Sequence, residues 1–199
     1  EKNLREELGK LYNMSRQLVA SYDSEAMMKT IARFATESIN VTYSRVLTKD
    51  EAGVFTCRAS FPARELTPIS EVNQIQFLTA QPFFKIPFER GSPIVIENSD
   101  PFINDDIRKV LFLDFATSVC LYPLKVVDEF VGLLVLSEER KTTREPFDAN
   151  KLQLISLVAD QAASAIRRAS LHEQLEANYL QTVIALANAV DAKDKYTVD

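Results

Sequence analysis

The chain has 199 residues, a formal net charge of −5 and a pI near 5.1, and 46% of its residues are hydrophobic. That composition builds a globular core and excludes a disordered chain. The acidic balance, with no compensating Lys/Arg cluster, argues against a nucleic-acid partner, and no apolar run approaches a membrane span. Cys57 and Cys120, far apart in sequence, fit free thiols in a reducing, cytoplasmic compartment. The first residue is Glu1 rather than Met, so the chain is expected to be part of a longer protein.

In chain order, residues 1–22 place Leu4, Leu8, Leu11, Leu18 and Tyr22 at three- and four-residue steps, with Ser15 in the gap. This is a heptad seam with charged residues off it, either intermolecular or packed on its own domain. Asp23 or Ser24 offers an N-cap for a helix whose apolar face is Met28, Ile31, Ala35 and Ile39. Two strands follow, Tyr43–Lys49 and Val54–Ser60, joined by the turn Asp50-Glu51-Ala52-Gly53. Pro62, Pro68, Pro82, Pro87 and Pro93 punctuate the next stretch and exclude long regular elements, a helix over Val72–Thr79 excepted. Arg90-Gly91-Ser92 turns into a short strand, Pro93–Glu97, and Asn104 can cap a short helix over Asp105–Leu113.

Thr117–Leu136 is the centre of the pattern: two near-continuous Val/Leu/Phe/Tyr runs, each fit for a strand buried on both faces, around Val127-Asp128-Glu129. Glu138–Arg144 reads as a solvated charged loop. Asp148 is then a good N-cap, with Phe147 and Leu152 as a hydrophobic staple. No Pro or Gly follows up to Asp194, which predicts a helix about 70 Å long at the standard rise. Its first half carries the stripe Ile155, Ala159, Ala162, Ile166, Ala169; its second half carries Leu171, Leu175, Tyr179, Val183, Leu186 and Val190. A helix of that length has to project from the domain or pair with a partner.

This order of elements resembles a GAF domain. The residues that carry the resemblance are Arg90-Gly91-Ser92-Pro93-Ile94-Val95-Ile96, Ser118 to Leu124, Gly132 to Leu136, Pro146-Phe147-Asp148 and Leu154–Ile166. It covers residues 20–168 and implies an α+β fold: a central antiparallel sheet with helices on both faces, and a small-molecule pocket under residues 62–113. A second resemblance lies in Tyr179–Thr197, which looks like the lead-in helix of an HD-GYP phosphohydrolase, a family that hydrolyses cyclic di-GMP at a metal centre. The match stops before that family's His and His-Asp motifs, so catalysis and its divalent metal would belong to a domain outside this chain. The implied organisation is an N-terminal signalling helix over 1–22, a GAF domain over 23–168 and a connector helix over 169–199.

Because residues 62–113 have to cover the free face of the central hairpin, Phe84, Phe102, Asp106, Arg108, Cys120 and Tyr122 are expected around a common ligand pocket, with Phe83 and Phe112 as further apolar walls; the alternative is that these side chains simply fill the core. Phe102 and Asp106 keep the spacing of cyclic-nucleotide GAF domains, but Ile107 stands where those carry Glu and no Asn-Lys pair precedes. Cys120 is followed by Leu121 rather than the His of bilin-attaching domains, and His172, the only histidine, lies outside the sheet and cannot serve as an internal haem ligand. One His and two distant Cys assemble no zinc site. The expected function is a cytoplasmic sensor that binds a small molecule, needs no cofactor within this chain, and relays its state to a downstream output. The relay would run through a homodimer formed by Leu4, Leu8, Leu11, Leu18 and Ile155, Ala159, Ala162, Ile166, Ala169. Two alternatives stand beside it: a GAF-type free methionine sulfoxide reductase with Cys120 as nucleophile and Cys57 as resolving thiol, and a ligand-free dimerisation module.

Overall fold

The computed structural model describes residues 9, 12–18, 23–49, 55–63, 82–111, 113, 115–141 and 146–196. The fold is built on the predicted hairpin. Strands β4 (Ser118–Val126) and β5 (Glu129–Glu138) pair antiparallel around a two-residue turn, with Cys120 opposite Leu136 and Tyr122 opposite Leu134. β1 (Tyr43–Lys49) adds to the other edge of β5, β2 (Phe55–Phe61) to β1, and β3 (Ile94–Glu97) to β4, giving the antiparallel order β2-β1-β5-β4-β3.

One face of the sheet is covered by α1 (Ser24–Ile39) and the first turns of α4 (Ala149–Tyr196). The α1 start follows from Asp23, whose Oδ1 accepts from the Glu25 and Ala26 amides at 2.9 and 3.3 Å. The α4 start follows from Asp148, whose Oδ1 accepts from the Lys151 amide at 2.9 Å, while Phe147 is buried. The opposite face is covered by α2 (Pro82–Arg90) and α3 (Asp105–Leu111), through Phe84, Phe88, Ile107 and Leu111. This is the expected α+β architecture, with helices on both faces of an antiparallel sheet.

Four expectations are corrected. The stripe Ile155, Ala159, Ala162, Ile166 is no dimer seam: each of these residues is at most 5% exposed, packed on α1 and the sheet within one chain, with Ala169 partly buried at its end. The four-three spacing does mark one covered face of the helix, but small residues admit a close neighbour from the same chain as readily as from another. Leu18 likewise turns inward beside Met14, in the helical stretch 12–18; Leu4, Leu8, Leu11 and Tyr22 lie outside the described residues. Residues 82–90 form a helix in spite of Pro82 and Pro87. Pro82 stands at the first position, where an amide is unpaired anyway, and Pro87 removes one bond from a turn that buries Phe84 and Phe88. Glu138 belongs to β5 and is buried, rather than opening a solvated loop. The turn at 50–53 and the helix expected over 72–79 lie outside the described residues.

Candidate functional site

The strand pleat decides which candidate residues can meet. On β4, Cys120 and Leu124 point to the face under α1 and α4, and the partly buried Tyr122 packs there too, whereas Val119 and Leu121 point to the face under α2 and α3. Phe84 is fully buried on that second face. The expected common cavity is therefore not formed: Cys120 and Tyr122 stand across the sheet from Phe84. Phe102 and Asp106 are exposed. Arg108 braces the loop before β4, its Nη1 donating to Asn98 Oδ1, while Asn98 Nδ2 donates to the Leu113 carbonyl at 2.8 Å. Among the described residues, the face under α2 and α3 is filled by an apolar cluster of Leu47, Phe55, Phe84, Phe88, Ile96 and Ile107 with their neighbours. Phe55, Phe88 and Phe130 meet edge to face, with ring centroids 5.3 and 5.5 Å apart. The side chains of Phe83 and Phe112 lie outside the described residues.

The same pleat bears on the redox alternative. Cys57 packs on the α2/α3 face and Cys120 on the α1/α4 face. Their strands are separated by β1 and β5, about 14 Å at the usual strand spacing. Burial pushes the Cys120 thiol up to about 12, away from the thiolate a nucleophile needs. Cys57 cannot resolve an intermediate on Cys120 in this fold. His172 is half exposed on α4, with Nε2 3.2 Å from Glu176 Oε1 one turn on. Among the described residues no three His, Cys, Asp or Glu side chains gather as a metal ion requires, and no helix is long and apolar enough to cross a membrane.

A groove of about 740 Å³ opens elsewhere, where α4 leaves the domain. Met28 of α1, Val131 of β5 and Ile166 of α4 line it with apolar side chains, Phe130 borders it at the end of the sheet while its ring packs toward α2, and Lys49, Arg58 and Arg167 bring three cations to its rim. Arg167 Nη2 meets Glu129 Oε2 at 3.0 Å, joining the β4–β5 turn to α4. Lys49 Nζ lies 5.8 Å from the centre of the Phe130 ring. Lys49, Arg58, Phe130 and Arg167 were not candidates from sequence. They come from β1, β2, β5 and α4, and no spacing within any one element marks them.

At the far end of β5 a second polar cluster joins α1 to the sheet. Glu138 Oε1 accepts from Thr42 Oγ1 at 2.6 Å and from Arg140 Nε at 2.8 Å, and Arg140 Nη2 also donates to the Asn40 carbonyl at 2.6 Å. Burial works against the charged carboxylate, yet these donors hold Glu138 down at about 2. The cluster fastens the C-terminus of α1, where Asn40 takes the left-handed conformation with φ 56°.

The family profile described as GAF domain matches residues 23–166. Among solved structures, the chain is similar to the phycoerythrobilin-bound GAF domain of a cyanobacterial phytochrome, at 15% identity and a TM-score of 0.63, covering 84% of this chain and 97% of that one. It is similar to a methyl-accepting chemotaxis protein at 20% identity and a TM-score of 0.61, covering 79% and 97%. It is also similar to the GAF domain of a phosphoenolpyruvate-protein phosphotransferase from Coxiella burnetii, at 16% identity and a TM-score of 0.63, covering 84% and 96%. Such identities speak for the fold alone. No curated protein matches the chain. With the profile running from the cap of α1 to the last buried turn of α4, the chain belongs to the GAF domain family.

Proposed function

We propose that this GAF domain is a cytoplasmic sensory module that works as a homodimer and passes its state along α4 to an output domain. The observation that carries this reading is the second half of α4. Leu171, Leu175, Tyr179, Val183, Leu186 and Val190 recur at three- and four-residue steps, and each is 43–68% exposed in the single chain. A helix this apolar along one side and this poorly covered calls for a partner, and two copies side by side supply it symmetrically. The likeness of Tyr179–Thr197 to the lead-in of an HD-GYP phosphohydrolase makes a cyclic di-GMP phosphodiesterase the favoured output, with its divalent metal held there.

Light scattering on this chain tests the dimer. A dimer is expected at micromolar concentration, and Leu175→Lys with Leu186→Lys should give a monomer; a monomeric wild type overturns the reading. The relay is tested with the chain placed upstream of an HD-GYP domain. Two residues inserted between Arg168 and Tyr179 turn the downstream face by roughly 200°, whereas seven return it nearly to phase. Phosphodiesterase activity should stay regulated with seven and be locked or lost with two. Equal behaviour of the two insertions sinks the relay.

A further inference from the structure

The exposed half of α4 has a polar end. Tyr179, Val183, Leu186 and Val190 follow each other at steps of four, three and four, the alternation of core positions d and a in a heptad. Continued toward the domain by the same alternation, three and then four residues back, the seam falls on Glu176 and His172. α4 is one unbroken helix over this range, so its phase carries across. Leu175 and Leu171, also exposed, flank these positions, roughly 60° and 100° from the axis of the seam. The first two layers of the seam are thus an imidazole at d and a carboxylate at a, and apolar side chains begin only at Tyr179.

His172 and Glu176 are already drawn together within one chain, with Nε2 3.2 Å from Oε1 and both side chains open to solvent. Two donors are too few for a metal ion, and among the described residues no third His, Cys, Asp or Glu joins them. A two-fold axis along the seam doubles the count. In a parallel pair each d layer meets the d layer of the other copy, and each a layer the other a layer. Two imidazoles and two carboxylates then converge within about 6 Å along the axis. Left to themselves, polar side chains at core positions weaken pairing, and the two carboxylates of the a layer repel. A mixed nitrogen and oxygen set of four suits zinc, whereas calcium and magnesium call for oxygen alone.

We infer that His172 and Glu176 of two copies form a zinc site on the two-fold axis, with two imidazoles and two carboxylates as its four ligands. The inference rests on the homodimer proposed above and adds a metal clamp to it. The ion neutralises the two carboxylates and links the two helices, so zinc tightens pairing and pairing builds the site. The clamp stands six residues beyond Ile166, the last buried residue described on α4. It therefore fixes the register of the two helices where they leave the sensory body, ahead of the apolar layers from Tyr179 to Val190.

The test uses zinc ion alone, with cobalt ion as its coloured substitute, on the whole chain without an affinity tag, so that His172 is the sole imidazole present. Light scattering in chelator comes first and should show the dimer. Calorimetry should then give one zinc ion per two chains with Kd below about 10 µM, and cobalt should show the strong visible absorption of a tetrahedral site. Saturation with zinc should lower the dimer dissociation constant at least about tenfold. His172→Ala and Glu176→Gln, both at exposed positions, should each weaken zinc binding at least about thirtyfold and abolish the effect of zinc on pairing, while each variant still dimerises in chelator. A chain that stays monomeric with and without zinc overturns the dimer and the site with it. A dimer that binds no zinc up to about 100 µM, binds one ion per chain, or keeps its zinc affinity in His172→Ala overturns the site alone.

Discussion

Single residues hold this fold at points where composition gave no warning. Gly132 lies on β5 opposite Thr48 of β1; a Cβ there would come 2.3 Å from the Leu47 carbonyl oxygen. Backbone cannot give way as a flexible side chain can. Gly132→Ala should therefore cost about 3 kcal/mol or more, seen as a fall in the urea midpoint with an unchanged slope. Glu138 makes the pH dependence. Its folded value of about 2 lies below the ordinary 4.5, so its stabilisation is full above that ordinary value and lost as pH falls toward 2. The loss amounts to at most about 3 kcal/mol, and Glu138→Gln should flatten the stability curve between about pH 5 and 2. A variant as acid-sensitive as wild type would remove Glu138 from the account. Cys120 gives a simpler outcome: Ellman's reagent at pH 8 should not reach it in the folded chain, and Cys120→Ser should cost about 1–3 kcal/mol for a buried hydroxyl. Methionine sulfoxide reductase activity in wild type, lost in that variant, would contradict this.

At the scale of elements, the sequence was most readable where pattern and cap agreed. α1 begins at the cap offered by Asp23, β1 keeps the predicted bounds, and α4 starts after Asp148. Each of these carries its own local signal, a carboxylate beside free amides or an apolar run with one period. α2 carried none, because proline statistics speak of breakage while the burial of Phe84 and Phe88 against the sheet is a tertiary fact. The candidate site failed for a related reason. Phe84, Cys120 and Tyr122 are all apolar and all near the central hairpin, yet a strand sends successive side chains to opposite faces, and only the register tells which. The groove was wholly illegible, since Lys49, Arg58, Phe130 and Arg167 come together only after the β1–β5 and β1–β2 pairings are made. The stripe on α4 shows the limit from the other side: its four-three spacing fixed a face of the helix but not which neighbour would cover it.

At the scale of the whole molecule, α4 divides into two regimes. Up to Ile166 its inner face is anchored in the core; from Leu171 onward every side chain described is exposed, so among the described residues the helix has no buried face there and rests on its backbone and local contacts such as His172 with Glu176. Isolated helices are marginal below about 12–15 residues and fray even when longer, so the second half depends on pairing for its persistence. Pairing through Leu171, Leu175, Tyr179, Val183, Leu186 and Val190 would bury apolar surface on the order of the 800 Å² per partner found in specific interfaces. Native-state hydrogen exchange can separate the regimes. In the wild-type chain, amides over 171–190 should be protected at least about a hundredfold, and that protection should rise with protein concentration. In Leu175→Lys with Leu186→Lys it should collapse to within about tenfold of the unstructured rate, while amides of β4, β5 and α1 keep theirs. Protection over 171–190 that is equal in both chains and indifferent to concentration would mean that the helix stands by itself, and that the exposed stripe is not what joins two copies.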